Sequence, residues 1–100
     1  MDFNANCTYI SENTQAALDM KVRLLVQRRH LLSQIALNIY DPDSTKELKE
    51  ELTRVDHKLG LVGNIIRTGT DSRNNFNAQK EFVETLLEYE PDYVQYFKVY

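Results

Sequence analysis

Residues 44–67 read STKELKEELTRVDHKLGLVGNIIR, and within them Leu48, Leu52, Val55, Leu59, Val62 and Ile66 recur at alternating steps of four and three. That spacing keeps one stripe of a helix apolar through roughly three heptads and matches no strand period. A second series lies upstream: Leu18, Val22, Leu25, Arg29, Leu32 and Ala36. Taken in reverse, it pairs Leu18 with Ile66, Val22 with Val62, Leu25 with Leu59, Arg29 with Val55, Leu32 with Leu52 and Ala36 with Leu48. The paired numbers share one constant sum, and its midpoint is Pro42. Two helices of equal rise folded about one turn give this arithmetic, so the spacing predicts a long antiparallel hairpin with these residues as its seam.

The fold class expected is all-α: that hairpin, a shorter third helix and a C-terminal aromatic segment, similar to a three-helix bundle. One hundred residues suit a single domain, and three glycines and two prolines leave too few turns for a many-stranded β fold. The expected division is a flexible N-terminal arm over 1–12, helix one over 13–40, helix two over 44–67, helix three over 75–90 and an aromatic tail over 91–100. Ser11 or Asn13 is placed to cap helix one, and Ser44 with Glu47 to form a capping box for helix two. Gly60 and Gly63, unfavourable inside a helix, suggest a close backbone approach or a local break there, with close packing the preferred reading. Residues 68–75, TGTDSRNN, read as a polar linker of turn formers.

A net charge of −3 and a pI near 5.3 argue against general nucleic-acid binding, which needs a basic footprint. The single cysteine, Cys7, excludes an intramolecular disulfide and fits a reducing compartment, so a cytoplasmic protein is expected. The N-terminus MDFNANCTYI lacks the basic and apolar regions of a signal peptide, and aliphatic runs are too short to span a bilayer. Eight asparagines are compatible with an AT-rich, for example viral, coding sequence.

Chemistry-bearing patterns are sparse. Lys21, Arg28 and Arg29 place basic groups on a largely apolar face of helix one, where they are candidates for holding an anion. The competing expectation is ion pairing, since the hairpin arithmetic sets Asp56 opposite Arg28. LLVQRRHLLSQIA, residues 24–36, resembles the first helix of the all-helical chorismate mutases, in which an arginine of such a stretch contacts the substrate. The resemblance covers about thirteen residues. Ile39 stands where that pattern has a lysine, and no matching arginine precedes the helix, so the stretch reads as generic helix composition. Glu47, Glu50 and Glu51 with Glu81, Glu84 and Glu88 could hold Mg²⁺ if they converged, an outline similar to the all-helical nucleotide pyrophosphohydrolases. Lys46, Lys49 and Lys80 interleave with them, however, as on a solvated face. His30 and His57 fall on polar sides at no metal-ligand spacing.

No catalytic residue, metal set or cofactor is therefore expected. The function expected is a small protein-binding regulator, inhibitor or assembly adaptor. The alternatives are a small helical enzyme or anion binder using Arg28 and Arg29, and an acidic nucleic-acid mimic presenting Glu81, Glu84, Glu88, Glu90 and Asp92. Tyr89, Tyr93, Tyr96, Phe97 and Tyr100 cluster at the C-terminus and are the candidate partner-binding residues, because such rings are enriched where proteins meet. Met20, Leu24, Leu31 and Ile35 form a second apolar stripe beside the seam. That stripe is expected to be covered by a second copy in a homodimer. Nucleic acid and membrane are not expected partners.

Overall fold

The computed structural model describes the backbone of residues 3–70 and 76–99 and the side chains of 9–70 and 76–99. It is all-helical: α1 (Phe3–Leu37), α2 (Pro42–Thr70), α3 (Phe76–Tyr89) and a 3-10 turn, η1 (Pro91–Gln95). The first two helices form the antiparallel hairpin; α3 packs on it, mainly against α2, to complete a three-helix bundle 57 Å long. The linker positions 71–75, the expected first residue of helix three among them, lie outside the described residues, as do Tyr100 and the side chain of Cys7.

The turn between α1 and α2 is set by Asp41. Its Oδ1 accepts the backbone N–H of Ser44 at 3.3 Å and its Oδ2 accepts the Ser44 hydroxyl at 2.9 Å. Asp41 is thus the N-cap, and Pro42, with its φ already helical, takes the first position of α2, where its missing N–H is not needed. This moves the cap three residues ahead of the expected Ser44–Glu47 box. Thr45 closes the turn, donating its hydroxyl to the carbonyls of Asn38 and Asp41 at 2.6 and 2.7 Å.

The N-terminal arm expected over residues 1–12 is helical from Phe3. Its composition is poor for a helix, but Tyr9 and Ile10 are buried, and Tyr9 meets Phe76 of α3 edge-to-face at 5.0 Å. Tertiary packing of that kind overrides weak local propensity.

The hairpin register is as the sequence arithmetic has it, since Arg28 donates from Nε to Asp56 Oδ1 at 2.7 Å. The face of α1 is not. The core is built from Ala17, Met20, Leu24 and Leu31 of α1, Val55, Val62 and Ile65 of α2, Val83 and Leu86 of α3, and Phe97 of the tail. On α2 the expected seam is largely in place, with Val55 and Val62 buried and Leu48, Leu52, Leu59 and Ile66 packed at the core's edge. On α1 the stripe assigned to the seam lies outside. Leu18, Val22, Leu25 and Leu32 are 40 to 63% exposed, whereas Met20, Leu24 and Leu31 are 1 to 6% exposed. The physical reason is α3. With a third helix on one side, α1 does best by turning toward both neighbours the stripe lying between them.

The expected close approach at Gly60 and Gly63 is also absent, because a Cβ at either would meet nothing within 4 Å. It occurs instead at Gly69, where a Cβ would collide with the Thr14 hydroxyl and the Gln79 amide. Gln79, fully buried in α3, donates to Thr14 Oγ1 at 2.9 Å and to the Ile65 carbonyl at 3.2 Å, tying all three helices at one level.

Three outcomes follow for chemical denaturation. Leu24→Ala should lose about 2 to 5 kcal/mol, as core truncations do, and Leu25→Ala less than half as much. Gly69→Ala should destabilise by about 1 to 3 kcal/mol through overpacking. Gly60→Ala and Gly63→Ala should each stabilise by about 0.5 to 1 kcal/mol, because their surroundings are open. The Ser44 side-chain and backbone hydrogen bonds hold the Asp41 carboxyl below its ordinary 3.8. A depressed carboxylate stabilises the fold above its unfolded pKa and loses that contribution as pH falls through its folded value. Asp41→Ala should therefore lower Tm at neutral pH, and a Tm difference that failed to shrink in acid would rule out this cap.

Candidate functional site

Rotation of α1 leaves its other apolar stripe on the surface. At 100° per residue, Leu18, Val22, Leu25, Arg29 and Leu32 share an arc of about 80°, with Val26 about 40° beyond it on the side away from α2. Their exposures are Leu18 40%, Val22 63%, Leu25 46%, Val26 63% and Leu32 42%. The Arg28–Asp56 bond sets the levels, so the half-buried Leu52, Leu59 and Ile66 of α2 lie alongside Leu32, Leu25 and Leu18. The result is an apolar groove along the side of the hairpin away from the α1 core stripe. Contiguous exposed apolar strips of this kind are often functional on single chains.

Four exposed cations lie in or beside this groove. By helical angle Arg29 sits within the stripe, Lys21 on its α2 side, and Lys49 and Arg67 along the α2 edge, while the exposed Asp19 marks the outer edge on α1. Arg67 donates to Asn64 Oδ1 at 2.8 Å. None of the four makes an ion pair among the described residues, whose salt bridges are Arg28–Asp56, Arg54–Glu51, Lys58–Glu90 and Lys98–Glu12. Asp56, engaged by Arg28, and Asp19, which accepts from Gln15 on the outer edge of α1, are the carboxylates beside the groove. Glu81, Glu84 and Glu88 project from the outer face of α3, exposed, with Asp92 beyond them.

The candidate residues distribute as follows. Arg28 is paired with Asp56 at 2.7 Å, while Lys21 and Arg29 stand apart from it as groove cations. Met20, Leu24 and Leu31, assigned to self-association, are covered by the chain's own core, and Ile35 is half-buried, so that stripe is not available to a second copy. The aromatic tail folds back. Phe97 is buried in the core, Tyr93 packs against it and lies under Lys58 Nζ at 5.4 Å, and the Tyr96 ring takes the Arg23 guanidinium at 5.0 Å. Tyr89 is 39% exposed and packs on His57, ring centroids 4.6 Å apart. These cis contacts remove Phe97 and much of Tyr93 from any partner-binding role.

Asn13, expected as a possible helix cap, is instead buried mid-helix and clamps the tail. Its Nδ2 donates to the Lys98 carbonyl at 3.0 Å and its Oδ1 accepts the Lys98 N–H at 2.8 Å. Thr45, Lys58 and Gln79 are the other buried polar residues that pattern reading missed. Lys58 does follow Val55 by three and precedes Val62 by four, which places it on the core stripe. Its stem is buried and its ammonium reaches Glu90 at 4.0 Å. The acidic residues of α2 and α3 do not converge, and among the described residues no group of three or more His, Cys, Asp or Glu could hold a metal ion. No helix among them is long and apolar enough to cross a membrane. Compared with protein-family models, curated proteins and solved structures, the chain matches none.

The Arg28–Asp56 pair is 40 and 47% exposed, so Arg28→Ala should cost no more than about 1 kcal/mol. Calorimetry of the wild type against nucleotides and dicarboxylates should show no Arg28-dependent heat. Asn13→Leu should release the tail, read as faster proteolysis after Tyr96 with α1 and α2 still protected from hydrogen exchange.

Proposed function

We propose that the chain is a non-enzymatic protein-binding module, a regulator, inhibitor or adaptor, and that its binding surface is the open apolar groove between α1 and α2. The observation that carries this reading is the exposure of Leu18, Val22, Leu25, Val26 and Leu32 on one side of a helix whose opposite stripe already forms the core. A helix apolar on two sides makes most sense when each side has something to cover it. The lone Cys7 suits a reducing compartment such as the cytoplasm.

The test uses a variant that removes the groove and spares the core. Val22→Asp with Leu25→Asp should leave far-UV helicity and Tm close to wild type, since both positions are about half exposed or more. Affinity capture from the source cells with wild-type and doubly substituted protein should then differ by the loss of a stoichiometric partner. A partner retained equally by both proteins would move the binding surface elsewhere.

A further inference from the structure

We infer that the groove accepts an acidic amphipathic helix from a partner protein. This rests on the groove being the binding surface, and it adds the chemistry of the occupant. From Leu18 to Leu32 the stripe spans ~21 Å of helix, about the length of the 14-residue α3 that packs on this hairpin in cis. An incoming helix of three to four turns would therefore cover it, laying its apolar stripe against Leu18, Val22, Leu25 and Leu32. Lys21 and Arg29 of α1, with Lys49 and Arg67 of α2, lie in and beside that apolar strip without carboxylate partners among the described residues, Arg29 within the strip itself and Lys21 on its α2 side. Carboxylates of the incoming helix, set against Lys21, Lys49 and Arg67 beside its apolar stripe and against Arg29 within reach of its edge, would give steering and specificity.

The same charges argue against a second copy. A two-fold axis through the groove would set these four cations against their own equivalents. Of the carboxylates beside the groove, Asp56 is already held by Arg28 and Asp19 lies on the outer edge of α1, and the exposed acids of α3 carry no apolar stripe to seat there. An acidic helix satisfies both requirements, apolar contact and opposite charge.

Two fluorescein-labelled synthetic helices of about twenty residues test the inference, each with leucine at a and d positions and flanked either by glutamate or by lysine. Anisotropy titrations with the full chain should favour the glutamate peptide by at least about tenfold, with the advantage shrinking as salt rises. Arg29→Glu with Lys49→Glu should reverse the preference, and Val22→Asp with Leu25→Asp should weaken both peptides. Equal binding of the two peptides, lost with Val22→Asp and Leu25→Asp, would overturn the acidic occupant and leave the groove as a binding surface. So would a wild type that binds neither peptide yet scatters light as a dimer and becomes monomeric with those substitutions. Binding to phosphatidylserine-containing vesicles without binding to the acidic peptide would replace the partner helix by an anionic membrane surface and overturn the inference. A monomer indifferent to peptides and vesicles would sink both the occupant and the groove.

Discussion

Val83 and Leu86 of α3, fully buried against the hairpin, decide how the rest of the chain is arranged. Helix α1 carries two apolar stripes, and α2 alone could cover either. Only one choice lets a third helix share the same core, because burial stabilises in proportion to the apolar area removed from water. The chosen stripe, Ala17, Met20, Leu24 and Leu31, joins one core cluster with Val55, Val62 and Ile65 of α2 and Val83 and Leu86 of α3. Gln79 reinforces the arrangement: with its amide spent on Thr14 and on the Ile65 carbonyl, its Oε1 stays buried with no hydrogen-bond partner among the described residues. A buried unpaired carbonyl is costly, so the packing around it must outweigh that loss.

Much of the architecture was legible in the residues. Helix two, the turn at Pro42 and the hairpin register all follow from spacing and from proline chemistry, which are local properties. The side of α1 that faces the core was not legible, because Leu25 and Leu24 are equally apolar and only the docking of α3 distinguishes them. Tyr9 and Ile10 were hidden for the same reason, since their helix is held by contact with residues far along the chain. Glycine spacing misled at Gly60 and Gly63, which sit in the open, while Gly69, in a stretch read as linker, fills the tight junction with Thr14 and Gln79. For the candidate site, the pairing of Arg28 with Asp56 was readable from register. The groove was not, since it is made of residues the spacing assigns to the interior.

The tail shows how a sequence cluster can be divided between two uses. Five aromatic residues in twelve positions look like one binding patch, but Phe97 enters the core and Asn13 grips the Lys98 backbone from both sides. Tyr93 and Tyr96 then lie over Lys58 and Arg23, so the segment works as a strap across the bundle. With Phe97 and Tyr93 packed at home, the face of the hairpin bearing Leu18 to Leu32 is an apolar surface still open to another molecule, as are Leu37, Ile39 and Tyr40 at the turn.

Helix α3 and the strap engage one part of the rod. Their named contacts run from Tyr9 to Arg23 on α1 and from His57 to Gly69 on α2. Beyond Asp56 the hairpin continues as two helices, ending in Leu37, Ile39 and Tyr40, which are 64 to 98% exposed. Cooperative unfolding units follow contact density, so a molecule 57 Å long divides into a stiff end and a breathing end. Motion at the turn can splay or twist the two helices without disturbing the three-helix core, much as the free tips of forceps move about a fixed rivet.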